Sequence, residues 1–166
     1  MSQPTPPPGD KYLVERSTVI EAPPRRVYAE LADFRRWQAW SPWEGLDPDL
    51  QRDYSGAGAG TGAVYRWKGN RKAGQGSMTI TRADEPSLVH IDLTFEKPFK
   101  SRNDTRFSLA PTGADGGSTE VTWTMVGTKT FMTRVMGLFT SMDKMIGPDF
   151  EKGLRQLKDV AEKPRT

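Results

Sequence analysis

Residues 131–161 carry the feature that most constrains how this chain can fold. Met132, Val135, Met136, Phe139, Met142 and Ile146 recur at helical spacing, and Phe150, Leu154, Leu157 and Ala161 continue the series. That spacing gathers them into one apolar stripe on an amphipathic helix. Gly147-Pro148 interrupts the run. Proline removes a backbone donor and collides with the preceding turn, but it is tolerated at a first helical position. The pattern therefore predicts one helix over 131–145 and a second from Pro148 to Glu162. Asp149 and Glu151 would start the second and Lys158 and Lys163 lie near its end, as the helix dipole favours. The stripe must be buried, and the strand-like segments lie in 12–127, so the helix needs a sheet to pack on.

Those segments alternate apolar and polar side chains. Tyr12–Glu21 reads as a first strand, ended by Ala22-Pro23-Pro24. Pro24–Ala32 predicts a short helix with Val27 and Leu31 one turn apart, and Asp33 can cap a second containing Phe34 and Trp37. Further strands are expected at Gln51–Ser55, Ala63–Lys68, Gly74–Arg82, Leu88–Glu96, Ser101–Ala110 and Ser118–Gly127. Val89, Ile91, Leu93 and Phe95 point one way and His90, Asp92, Thr94 and Glu96 the other. Alternation of this kind means one dry and one wet face, as an antiparallel sheet allows.

The chain has 166 residues, enough for one domain with a real core. We read 11–163 as that single domain and 1–10, polar and proline-rich, as a disordered tail. Apolar residues make up 35% and charged residues 27%, with a net charge of +3 spread along the chain rather than concentrated. Such scatter reads as a solvated surface, and no nucleic-acid partner is expected. No apolar run is long enough to span a bilayer and the start lacks a signal-peptide core, which points to a cytoplasmic protein without integral membrane association.

Few residues offer chemistry. There is no cysteine, so disulfides and thiol nucleophiles are excluded, and the single histidine, His90, falls on the wet face. One histidine and no cysteine argue against a zinc site, and no metal or other cofactor is expected. No Gly-x-Ser-x-Gly nucleophile context is present. Ser55–Gly62 is glycine-rich but lacks the Gly-Lys-Ser/Thr ending and following helix of a phosphate loop, so it reads as a flexible strand connection. Asp47-Pro48-Asp49 begins like a calcium loop, but Gly58 stands where the bidentate glutamate belongs, and we read a turn. Asp53, Tyr54 and Glu96 are acid/base candidates only if buried. No catalytic constellation emerges, and the sequence leans away from an enzyme.

Large apolar groups are the unusual supply. Trp37, Trp40 and Trp43 fall within seven residues, in a connection that Pro42 keeps from being a regular helix. Trp37 reads as a plug at the end of the sheet, while Trp40 and Trp43 suit a plug or a pocket wall equally. Trp40, Trp43, Trp67, Met78, Phe95, Phe107, Trp123, Met136 and Phe139 are all expected to face one space between sheet and helix. A solid core is one outcome; a cavity for a hydrophobic guest is the other, with methionines able to adapt to it.

The order of elements, with Ile20-Glu21-Ala22-Pro23, Val27-Tyr28, Trp40-Ser41-Pro42-Trp43, Gly60-Thr61-Gly62, Trp67 and the closing Gly147–Leu154 segment, resembles the START-like helix-grip superfamily, in its bacterial polyketide cyclase/dehydrase-like branch. The resemblance covers roughly 12–162. It implies an α+β helix-grip fold: a seven-stranded antiparallel sheet wrapped around a long C-terminal helix, with two short helices after strand 1 and a hydrophobic ligand cavity between sheet and helix. It carries over no catalytic residue. The leading expectation is binding of a small hydrophobic molecule such as a lipid, isoprenoid or polyketide-like compound. The alternatives are a cyclase/aromatase-type enzyme using Tyr54 or Glu96 for proton transfer, and a chaperone-activator-like protein-interaction module.

Overall fold

The computed structural model describes residues 11–97, 100–128 and 142–164. Seven strands form one sheet: β1 (Lys11–Ile20), β2 (Gln51–Gly56), β3 (Ala63–Lys68), β4 (Gln75–Asp84), β5 (Leu88–Lys97), β6 (Ser101–Thr112) and β7 (Ser118–Thr128). Neighbours are antiparallel throughout, in the order β1-β7-β6-β5-β4-β3-β2. Helix α1 (Pro24–Leu31) and a 3-10 helix (Phe34–Ala39) carry the chain from β1 at one edge to β2 at the other. Pro23 and Pro24 set the start of α1, which buries Val27, Tyr28 and Leu31. Asp33 caps the 3-10 helix by accepting a hydrogen bond from the Arg35 amide at 3.0 Å.

Period-two alternation decides which face is dry. Met78 and Ile80, then Val89, Ile91 and Leu93, then Thr105, Phe107 and Leu109, then Val121, Trp123 and Met125 are buried on one face. The opposite face carries His90 paired with Asp104, and Asp92 paired with Arg102.

The long C-terminal helix, α2 (Met142–Glu162), lies on the dry face and buries Phe150, Leu154, Leu157 and Ala161. It runs unbroken through Pro148, which corrects the expected start of a second helix there. A proline within a helix forfeits one backbone hydrogen bond, and side chains on both sides of Pro148 secure the segment. Arg16 of β1 donates to Asp143 at 2.7 and 3.0 Å and to Glu151 at 3.0 Å, so it clasps the helix before and after the proline. Its guanidinium lies where a Cβ at position 147 would sit, so the clasp packs closely over Gly147. Asp149 and Glu151 therefore serve mid-helix contacts rather than a helix start. Farther on, Lys158 donates to the Val19 carbonyl at 3.0 Å. The expected tail over 1–10 and most of the expected helix over 131–145 lie outside the described residues; Met142–Met145 belong to α2.

Sheet, α2 and the short helices make an α+β helix-grip architecture. Among the described residues, no helix is long and apolar enough to cross a membrane.

Candidate ligand-binding site

The dry face has two halves. Under α2 the sheet is packed solid. Phe150 stacks parallel on Trp123 with ring centroids 3.9 Å apart, Trp123 stacks on Phe107 at 4.8 Å, and Trp40 meets both edge-on at 5.8 and 6.0 Å. Gly153 lets the helix approach this closely, since a methyl there would press on Pro42 and the Trp123 ring. Aromatic pairs in these arrangements add to the stabilisation from burial alone.

The β3–β5 half is hollow. Strand register lays two rows across it: Tyr65, Met78 and Leu93, and beside them Trp67, Gly76 and Phe95. Gly76 has no side chain between its large neighbours, and a Cβ there would strike the Trp67 ring. Trp67 and Phe95 meet edge-to-face over it at 5.7 Å. Phe34 and Trp37 of the 3-10 helix close the inner end, and Trp43, Leu46 and Leu50 form a roof. The cavity is about 200 Å³ and its lining is predominantly apolar.

Two loops are clasped together to make that roof. Asp47 accepts from the amides of Asp49 and Asn70, both at 2.8 Å, and the Asn70 side chain donates to the Leu46 carbonyl at 3.2 Å. Asn70 also accepts from the amides of Lys72 and Ala73, which folds the β3–β4 loop inward. The Trp67 indole donates to the Ala73 carbonyl at 2.9 Å, fixing its ring against this loop. Gly69 is needed because a side chain there would collide with Leu50, Ala73 and Asp47.

Few polar groups reach the cavity. Ser41, Glu44, Tyr65 and Lys72 stand on its wall. Glu44 is ion-paired with Arg52 at 2.5 Å. Burial, followed by the nearby Glu44 charge, pushes the Tyr65 hydroxyl up to about 12, so it stays protonated at neutral pH. Among the described residues, no three metal-ligating side chains gather into a cluster.

The nine side chains expected around one space fall into three groups. Trp43, Trp67, Met78 and Phe95 come together around the cavity. Trp40, Phe107 and Trp123 are at most 1% exposed and sit in the packed half, away from the cavity lining. Met136 and Phe139 lie outside the described residues. Trp43 stands on the boundary: it meets Trp123 and Phe150 edge-on, donates to Asp149 at 3.3 Å, and shows its remaining surface to the cavity. Trp37 is 4% exposed, anchored by its indole to the Leu31 carbonyl, yet also touches the cavity.

Leu46, Leu50, Tyr65 and Lys72 were not anticipated as wall residues. Two leucines four apart, bracketing the polar Asp47-Pro48-Asp49 turn, were the available signal. That turn is real, and its carboxylate is spent on the clasp. The glycine-rich connection also has its amides engaged: Gly60 donates to the Ala32 carbonyl at 2.8 Å and Gly62 to Ile80 at 2.9 Å, so it is anchored rather than loose. Tyr54 accepts from Gln38 and packs on Tyr65 outside the cavity, and Glu96 is exposed and accepts from Gln75.

The sequence model of the polyketide cyclase/dehydrase and lipid transport family matches residues 12–162. The chain belongs to this family. It is a START-like protein, and the family is one whose fold holds hydrophobic ligands. Solved structures share the fold of this polyketide cyclase/dehydrase-like protein at low identity. A protein of Chromobacterium violaceum is 15% identical, with a TM-score of 0.63 over 92% of this chain and 99% of that one. Norcoclaurine synthase from Thalictrum flavum, in complex with dopamine and hydroxybenzaldehyde, is 9% identical, with a TM-score of 0.67 over 93% and 90%. The Aha1 dimer from Colwellia psychrerythraea is 18% identical, with a TM-score of 0.59 over 90% and 96%. No curated protein sequence matches the chain.

Proposed function

We propose that the protein binds a small hydrophobic molecule in the cavity over β3–β5, held by Trp43, Trp67, Met78 and Phe95. The apolar space of about 200 Å³ beneath the clasped roof carries this reading. Each ligand methylene moved into such a space gains about 0.8 kcal/mol, so useful affinity needs no catalytic or charged anchor. Membership of a family that includes lipid transport supports a binding or carrier role. Tyr54 and Glu96 do not reach the cavity, so proton transfer by them to a bound guest has no geometric support.

The test is native mass spectrometry of the purified protein, followed by denaturation and identification of what is released, with Trp43→Ala in parallel. The expected result is a bound hydrophobic compound in the wild type, reduced in the variant while the variant stays folded. A protein that carries nothing and takes up no hydrophobic compound added in excess would contradict the reading.

A further inference from the structure

The cavity wall is apolar inside and charged at its rim, and the two rim charges are not equivalent. Glu44 is neutralised by Arg52, 2.5 Å away. The nearby carboxylate of Asp47 is held by the amides of Asp49 and Asn70 within the roof clasp and does not line the space. Lys72 lies on the wall, is exposed, and makes no ion pair among the described residues. A lysine so placed lays its aliphatic stem along apolar surface and keeps its ammonium in water. Arg71, beside it on the same loop, adds a second cation without an ion pair among the described residues. The rim thus offers a lysine without an ion pair among the described residues, on the wall of an aromatic chamber.

Size narrows the occupant further. At about 30 Å³ of liquid per water molecule, about 200 Å³ holds roughly seven waters, the space of a compact small molecule. Flat aromatic walls at Trp43, Trp67 and Phe95 favour a ring system over a branched chain. We infer that the guest is an amphiphilic anion, a one- or two-ring aromatic molecule bearing a carboxylate, with its rings in the chamber and its carboxylate at the Lys72 ammonium. The inference rests on the proposed binding function and specifies its ligand class.

The test is calorimetric titration with naphthalene-2-carboxylate and its neutral isostere naphthalene-2-carboxamide, against the wild type, Lys72→Met and Arg71→Met. The carboxylate should bind the wild type about two- to fivefold tighter than the amide, the range of a partly exposed ion pair. That ratio should fall to about one in Lys72→Met and shrink in high salt, as screening requires. In Arg71→Met it should stay closer to the wild-type value. Equal binding of both compounds to the wild type, or an unchanged ratio in Lys72→Met, would overturn the anion inference and leave the hydrophobic-binding reading standing. Failure of both compounds to bind would overturn the aromatic-anion inference, while the hydrophobic-binding reading falls only if native mass spectrometry also finds no guest carried or taken up.

Discussion

Trp123 and Trp67 begin from the same position in the strand pattern. Each is an inward tryptophan between outward polar neighbours, with Val121 or Tyr65 two places before it on the same face. Trp123 ends fully buried between Phe107 and Phe150. Trp67 ends half-buried, with one edge against Phe95 and a face on the cavity. What differs is the cover. Over β1 and β7 the cover is α2, whose stripe of Phe150, Leu154, Leu157 and Ala161 is buried against the sheet. Over β3–β5 it is, among the described residues, a pair of loops clasped to each other. A helix buries its own apolar face by descending onto the sheet, whereas loops must first satisfy their backbone groups and so stand off. Side-chain chemistry alone therefore does not separate core from pocket in this protein.

The contrast can be broken at its strongest point first. Phe150→Ala removes a ring stacked at 3.9 Å in the filled half, and should cost about 3–5 kcal/mol in denaturant-monitored stability. Ligand affinity, measured on the fraction still folded, should hardly change. If Phe150→Ala instead spared stability and abolished binding, the two halves would have exchanged roles.

Trp43→Ala sits on the boundary and should show the opposite balance. A half-buried ring whose loss opens the roof should cost about 1–2 kcal/mol of stability. Affinity for a hydrophobic guest should fall about tenfold through lost aromatic contact. Equal losses in the two measurements would make Trp43 part of the plug.

Thr105 sharpens the account of the filled half. It is buried on β6, and its hydroxyl has no hydrogen-bond partner. An unsatisfied buried hydroxyl is a cost, so Thr105→Val, similar in shape, should be neutral or stabilising by up to about 1 kcal/mol. A clear loss of stability would mean the hydroxyl is satisfied in solution.

The smallest effect concerns the clasp on α2. The Arg16 hydrogen bonds hold the Asp143 carboxyl below its usual value of 3.8, and the same contacts keep the Arg16 guanidinium firmly charged. A lowered folded-state pKa contributes stability at pH above the unfolded value and loses it as pH falls through the folded value. Both groups are partly exposed, so the contribution should be a few tenths of a kcal/mol. Asp143→Asn should accordingly be slightly less stable than the wild type at pH 7, with the gap closing below about pH 4. A gap that stayed the same size from pH 7 down to pH 2 would assign the effect to packing instead of charge.

Much of the fold was legible because strands announce themselves by alternation. The seven strands, the inward set Val89, Ile91 and Leu93, and the cap at Asp33 all follow from local pattern. Pro148 misled because local pattern reports the cost of proline and not what offsets it. The Arg16 clasp that bridges it joins residues 127 and 135 positions apart. The site was half legible for a related reason. Register across three strands, unknown from one strand's phase, sets Gly76 between Trp67 and Phe95 and makes the hollow. The roof depends on Asp47 finding Asn70 across a 23-residue separation, a pairing that no spacing rule announces. Trp40 and Trp43, three residues apart with the same chemistry, part through distant partners: the Trp40 indole donates to the Glu30 carbonyl and the Trp43 indole to Asp149.

The most direct measurement is a nitrogen-15 NMR titration of the tryptophan indole N–H signals with naphthalene-2-carboxamide. The protein has five tryptophans, divided between the filled half, the hollow half and their boundary. The account predicts the largest shifts at Trp67 and Trp43, a smaller one at Trp37, and the least at Trp40 and Trp123. Shifts led by Trp40 and Trp123 would place the guest under α2 and contradict the division of the molecule drawn from its packing.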